Sequence, residues 1–129
     1  MLRILMLEDS NADGELVRYE LRKAHVTFSF RRVNTEHAFV KELGEFSPDV
    51  ILSDYELPGF DGLTALTLAK DINPSLPFIM VTGSLDDRTR VECMKAGADD
   101  YVMKDNLRRI GAAVQQALAR NRVLAELSA

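Results

Sequence analysis

Five short apolar runs, at residues 3–7, 27–33, 50–53, 78–82 and 101–103, alternate with longer amphipathic stretches along the 129 residues. Three of them, reading ILML, VILS and FIMVT, are almost continuously apolar. That is the pattern of strands buried on both faces of a parallel sheet. The run at 27–33 instead alternates Phe28, Phe30 and Val33 with polar residues, as a partly exposed strand near an edge does. Between the runs the apolar spacing is helical. A first helix is expected over 12–25, with Leu16, Val17, Tyr19, Leu21 and Ala24 on its stripe and Ser10, Asn11 and Asp13 as capping chemistry. Thr35 caps a second, running through Phe46 with Ala38, Phe39, Val40 and Leu43 inward. A third spans 62–72 and is stopped by Asn73-Pro74. Asp86-Asp87 open a fourth that Gly97 ends, and a fifth runs from Asp105-Asn106 towards Leu127. Strand–helix alternation with short links implies right-handed crossovers and helices on both faces of the sheet.

A chain of this length forms one domain, 1–129, able to bury a core without staples. Residues 119–129 extend the last helix beyond what covers a sheet and read as a possible start of a linker helix. The single cysteine, Cys93, excludes an internal disulfide and favours a cytoplasmic setting; it reads as a small packing residue of the fourth helix. The first seven residues are apolar but too short for a signal peptide, and no run approaches the ~20 apolar residues of a membrane span. A net charge of −4 argues against direct nucleic-acid binding, which rests on clustered Lys and Arg.

Ligands of open α/β sheets bind at the carboxyl ends of the strands. After the first run come Glu8 and Asp9, after the third Asp54, after the fourth Thr82, and after the fifth Lys104. Two carboxylates ~4 Å apart repel by roughly 4 kcal/mol at an effective dielectric of ~20, so three together take up protons or hold a cation. An all-oxygen site with room for water suits Mg²⁺. With a mobile lysine and a hydroxyl beside it, a carboxylate nucleophile has the parts needed to place an in-line phosphoryl group.

At this point the chain resembles the receiver domains of two-component response regulators. The segments that carry the likeness are ILMLEDS, DVILSDYELPGFDGL, PFIMVTGS and AGADDYVMKD, in order over residues 3–118. The resemblance implies a flavodoxin-like (βα)5 three-layer sandwich with strand order 2-1-3-4-5. It implies Asp54 as phosphoacceptor for a histidine kinase or histidine phosphotransfer protein. Mg²⁺ would be held by Asp9, Asp54 and the backbone carbonyl of Glu56, with Glu8 acting through water. Lys104 would pair with Asp54 and then with the phosphoryl oxygens. Thr82 and Tyr101 would form the switch, read by an output domain or protein on the helix 4–strand 5–helix 5 face, with a phosphorylation-dependent dimer as one form of output. On this reading the chain is no enzyme beyond catalysing its own phosphorylation and dephosphorylation. Glu56 and Ser84 stand where the family tunes dephosphorylation. One position departs: the family's lysine usually precedes a proline across a cis peptide, whereas Lys104 precedes Asp105. A non-proline cis bond costs ~3 kcal/mol, so that peptide is left open, with Asp105 as an N-cap candidate for the last helix.

Other classes fit less well. A haloacid-dehalogenase-type phosphatase needs an aspartate two residues after the nucleophile, where this chain has Glu56, and a cap domain for which it is too short. A flavin mononucleotide binder needs phosphate donors in its first loop, where Glu8-Asp9 would repel the anion. A degenerate receiver acting as a phosphorylation-independent binding module would not need Glu8, Asp9, Asp54, Thr82 and Lys104 intact. His25 and His37 have no catalytic neighbours in sequence and read as surface residues.

Overall fold

The computed structural model describes residues 1–128. Strands β1 (Leu2–Leu7), β2 (Phe28–Val33), β3 (Val50–Ser53), β4 (Phe78–Thr82) and β5 (Asp100–Met103) form one parallel sheet of order β2-β1-β3-β4-β5. Helices α1 (Asn11–Lys23), α2 (Glu36–Glu45), α3 (Gly62–Ile72) and α4 (Asp87–Lys95) are the crossovers, and α5 (Ile110–Ser128) follows β5. This is the flavodoxin-like sandwich expected from the sequence.

The two-residue period of the strands sorts the core into two layers. Ile4, Met6, Leu52, Ile79 and Val102 face α1 and α5, meeting Val17, Leu21, Ile110 and Val114. Leu5, Leu7, Ile51, Phe78 and Met80 face the other way, onto Phe39 of α2, Leu66 of α3 and Cys93 of α4. Each fully buried side chain of this size contributes about 1.5–3 kcal/mol. β2 is an edge strand with no fully buried residue, as its alternation indicated. Helices α1 to α4 start on an oxygen side chain: Ser10, Thr35, Asp61 and Asp86 accept from the backbone N–H of Asp13, Ala38, Thr64 and Thr89. Each cap contributes about 1 kcal/mol and sets the register at which its helix leaves the sheet edge.

The structure departs from the sequence reading in three places and decides the one peptide left open. Leu16, Tyr19 and Val40 are exposed, because Val17 with Leu21, and Phe39 with Leu43, already fill the inward stripes. A two-residue hairpin, Glu56–Leu57 against Phe60–Asp61, follows Asp54 and is too short to leave a periodic signal. Pro58-Gly59 turns it, with Gly59 at a φ of 79°, the left-handed position of a type II turn. Asp105 does not cap the last helix. A 3-10 segment, Lys104–Arg109, comes first with no side-chain cap, and the non-helical Asn106 (φ −137°, ψ 42°) kinks it within. The Lys104–Asp105 peptide is trans. Of the residues assigned to a linker, Ala129 lies outside the described residues, and the rest continue α5. Among the described residues no helix is long and apolar enough to cross a membrane.

Candidate functional site

The sheet register places the strand-end residues side by side. Asp54 donates its backbone N–H to the carbonyl of Leu7 at 2.9 Å, which ties the end of β3 to the end of β1. Glu8 donates its own N–H to the Val33 carbonyl at 3.0 Å, and its carbonyl accepts from Arg32 Nη1 at 2.8 Å. Both acids are thus anchored through their backbones, which frees their carboxylates. Oxygens of Glu8, Asp9 and Asp54 lie within 4.8 Å of one another, Asp9 exposed and the other two buried. Asp54 Oδ1 accepts from the Tyr55 N–H at 2.7 Å.

Lys104 arrives from the far end of β5 and is shared among three carboxylates. Its Nζ lies 2.6 Å from Glu8 Oε1, 2.8 Å from Asp13 Oδ2 and 2.9 Å from Asp54 Oδ2. The approach to Glu8 Oε1 is off the hydrogen-bonding direction, so this buried oxygen has an ion-pair partner but no hydrogen bond. Thr82 is buried at the end of β4 and donates a long 3.4 Å bond to the Ser84 carbonyl. Glu56, exposed, lines with Asp54, Thr82 and Lys104 an open cavity of about 370 Å³. Tyr101 lies two residues before the end of β5, half-buried, its hydroxyl accepting from Arg90 Nη1 at 2.9 Å and its ring 5.1 Å from that guanidinium.

So Glu8, Asp9, Asp54, Thr82 and Lys104 converge as the strand ends predict, and Glu56 borders them. Tyr101 stands apart, tied to α4. Sequence reasoning missed two members. Asp13 was visible only as a capping residue, although its place one helical turn after Asp9 carries it to the same edge. Arg90 has no local signal at all.

Burial pushes the Glu8 carboxyl above its usual range, and the nearby Asp54 charge adds to this; the positive charge of Lys104 and the bond from the Ser10 N–H only partly offset it. Burial by itself would lower the Lys104 ammonium, but Asp13, Glu8 and Asp54 hold it well above the usual lysine value. A carboxyl raised in the folded state loses stability as pH climbs from its unfolded pKa of ~4.3 through the folded one. Glu8→Gln is therefore expected to raise the melting temperature at pH 7 with a chelator present by roughly 2–5 °C. The gain should shrink as pH falls towards ~4.5. A melting temperature that drops at both pH values would show that the Lys104 pair outweighs the burial.

This arrangement has counterparts. The sequence profile of the response regulator receiver domain matches residues 4–115. The chain belongs to that family. Among relatives, it is 33% identical over 129 residues to the virulence transcriptional regulatory protein PhoP of Salmonella choleraesuis, covering 97% of this chain and 55% of that one. The receiver thus spans about half the length of that curated relative. Among solved structures, a CheY-like receiver domain protein from Methanospirillum hungatei superposes with a TM-score of 0.79 at 27% identity, over 95% of this chain and 97% of that one. The beryllofluoride-activated DrrB receiver domain gives 0.78 at 26%, over 92% and 98%. Receivers are signalling domains, and members of this family bind Mg²⁺ in an acidic pocket where this chain has Glu8, Asp9 and Asp54.

Proposed function

We propose that Asp54 accepts a phosphoryl group from the phosphohistidine of a histidine kinase or phosphotransfer protein, in a Mg²⁺-dependent step. The observation that carries this is the meeting of three carboxylates and one lysine at the ends of three different strands. The donor set fits the metal: all ligands are oxygens, and Glu8 Oε1 is a buried carboxylate oxygen with no hydrogen bond. Asp9, Asp54 and the Glu56 backbone carbonyl would hold the ion, with Glu8 acting through water. The chemistry it would supply there is neutralisation of charge on the phosphoryl oxygens.

A carboxylate oxygen of Asp54 forms the new P–O bond as the P–N bond to the donor imidazole breaks, the imidazole leaving with the electron pair. Lys104 shifts from Asp54 to a phosphoryl oxygen. Thr82, whose hydroxyl holds only a long bond to Ser84, turns to another. Water later attacks the phosphorus, the aspartyl P–O bond breaks, and inorganic phosphate leaves. Catalysis extends no further than this self-modification. Tyr101 gives up Arg90 as Thr82 moves, and the face of α4, β5 and α5 reports the change to an output domain or protein, or to a second copy as a phosphorylation-dependent dimer. Val91 and Met94 are exposed apolar residues on that face. The chain reads as one receiver, 1–129, with α5 from residue 119 as the start of a linker, where Val123 and Leu127 are exposed. A cytoplasmic location follows from partnership with a kinase.

The test is incubation with acetyl phosphate. Intact mass spectrometry should show one added phosphoryl group in Mg²⁺ and none in EDTA. No gain under either condition would favour the phosphorylation-independent binding module instead.

A further inference from the structure

Asp13 is the one carboxylate on Lys104 that the phosphoacceptor chemistry does not use. It occupies the third position of α1, after the Ser10 cap, whose Oγ accepts from the Asp13 N–H at 3.2 Å. An acid at this position ordinarily bonds back to the N–H of the cap residue. Here the Ser10 N–H goes to Glu8 Oε2 at 3.2 Å. The Asp13 carboxylate reaches instead across the sheet edge to Lys104, 91 positions away, at 2.8 Å. It is outside the group of three carboxylates that could hold a cation.

We propose that Asp13 is a positioning residue that competes with the phosphoryl group for Lys104, and so sets how strongly the unphosphorylated state is favoured. The inference rests on the phosphoacceptor reading above. In the resting chain the ammonium is divided among Glu8, Asp13 and Asp54. When a phosphoryl group claims it, the contact with Asp13 must be weakened or lost. A ligand's apparent affinity falls by the free energy of whatever contact its binding breaks. Asp13 also borders the same cavity, so its charge holds the lysine there while the carboxylate stays outside the group that could ligate a cation. The Asp13 carboxylate is about one-third exposed, which screens the pair. The expected effect is therefore about three- to five-fold.

Beryllofluoride affinity at saturating Mg²⁺, followed by the amide resonance of Gly83, tests this. Asp13→Asn is expected to bind about three- to five-fold more tightly than the native chain. Asp13→Glu keeps the charge and the reach and should stay within about two-fold of native. Asp105→Asn removes an equal charge from an exposed position beside Lys104 without bonding its ammonium, and should also change affinity by less than about two-fold. Unchanged or weaker binding by Asp13→Asn overturns the proposal. So does an equal gain from Asp105→Asn, which would mean that bulk charge and not possession of the lysine matters. Thermal melts of the variants separate a folding defect from either result, and Asp13→Ser serves in place of Asn should that variant melt early. Failure of the native chain to bind beryllofluoride overturns the phosphoacceptor reading itself, and this inference with it.

Discussion

Replacing Asp54 with asparagine is expected to remove the phosphoryl mass gain in acetyl phosphate and Mg²⁺ entirely. The side chain keeps its shape, and the oxygen of the amide can still accept from the Tyr55 N–H or from Lys104. What it loses is the negative oxygen that attacks phosphorus and one ligand for a cation. The variant should nevertheless fold. Asp54 is 8% exposed and close to Glu8 and Asp9, so neutralising it relieves repulsion that a chelated protein otherwise carries. Its melting temperature without Mg²⁺ should therefore equal or exceed that of the native chain. Together these two measurements separate chemistry from folding. A native-like melt with no mass gain supports Asp54 as the acceptor. Undiminished phosphorylation of the asparagine variant would move the acceptor elsewhere.

The second large effect concerns a glycine that shapes the site without joining it. Gly62 opens α3 directly behind Asp54, and its N–H donates to the Tyr55 carbonyl at 2.7 Å. A Cβ there would stand 2.7 Å from the Asp54 carbonyl oxygen, 2.9 Å from Met80 Sδ and 3.0 Å from Met80 Cε. Met80 can adjust, but the carbonyl belongs to the backbone that carries the nucleophile. Gly62→Ala should therefore cost towards the upper end of the roughly 1–3 kcal/mol typical of overpacking. It should also weaken Mg²⁺ binding, by displacing Asp54 from Glu8 and Asp9. Gly44, inside α2, is the internal control: nothing lies within 4 Å of a Cβ built there. Gly44→Ala should be neutral or stabilising by up to ~1 kcal/mol. Equal melting temperatures for the two alanine variants would show that the loop after Asp54 yields at no cost.

The stability and function of this site pull in opposite directions at Glu8 and Asp54. Each carboxylate is buried beside the other, and Glu8 Oε1 has no hydrogen bond. Lys104 supplies the compensating charge in the resting chain. The same ammonium is what a phosphoryl group needs, so the device that stabilises the resting site is also the one the reaction must recruit.

Much of this was legible in the residues alone. Runs such as ILML and FIMVT, bounded by helical periods, can bury both strand faces only in a parallel sheet with helices on either side, so the layer structure followed. Glu8, Asp9, Asp54, Thr82 and Lys104 were found because chain order places them at or just past the ends of their strands, and all parallel strands end at one edge. Ser10 and Thr35 announced their helices because a cap acts within four residues. These are local signals, and local physics determines them.

Only the tertiary structure decided how Lys104 is divided. Its partners are 50, 91 and 96 positions away, and nothing in the local pattern of α1 says that Asp13 turns away from its own cap. The same holds for Arg90 beneath the Tyr101 hydroxyl and for the Asp54 carbonyl that leaves Gly62 no room for a side chain. Periodicity and capping place a residue on an edge or a face. Which oxygen takes which proton depends on side-chain geometry between elements that the sheet brings together, and that is written in distances the linear chain does not contain.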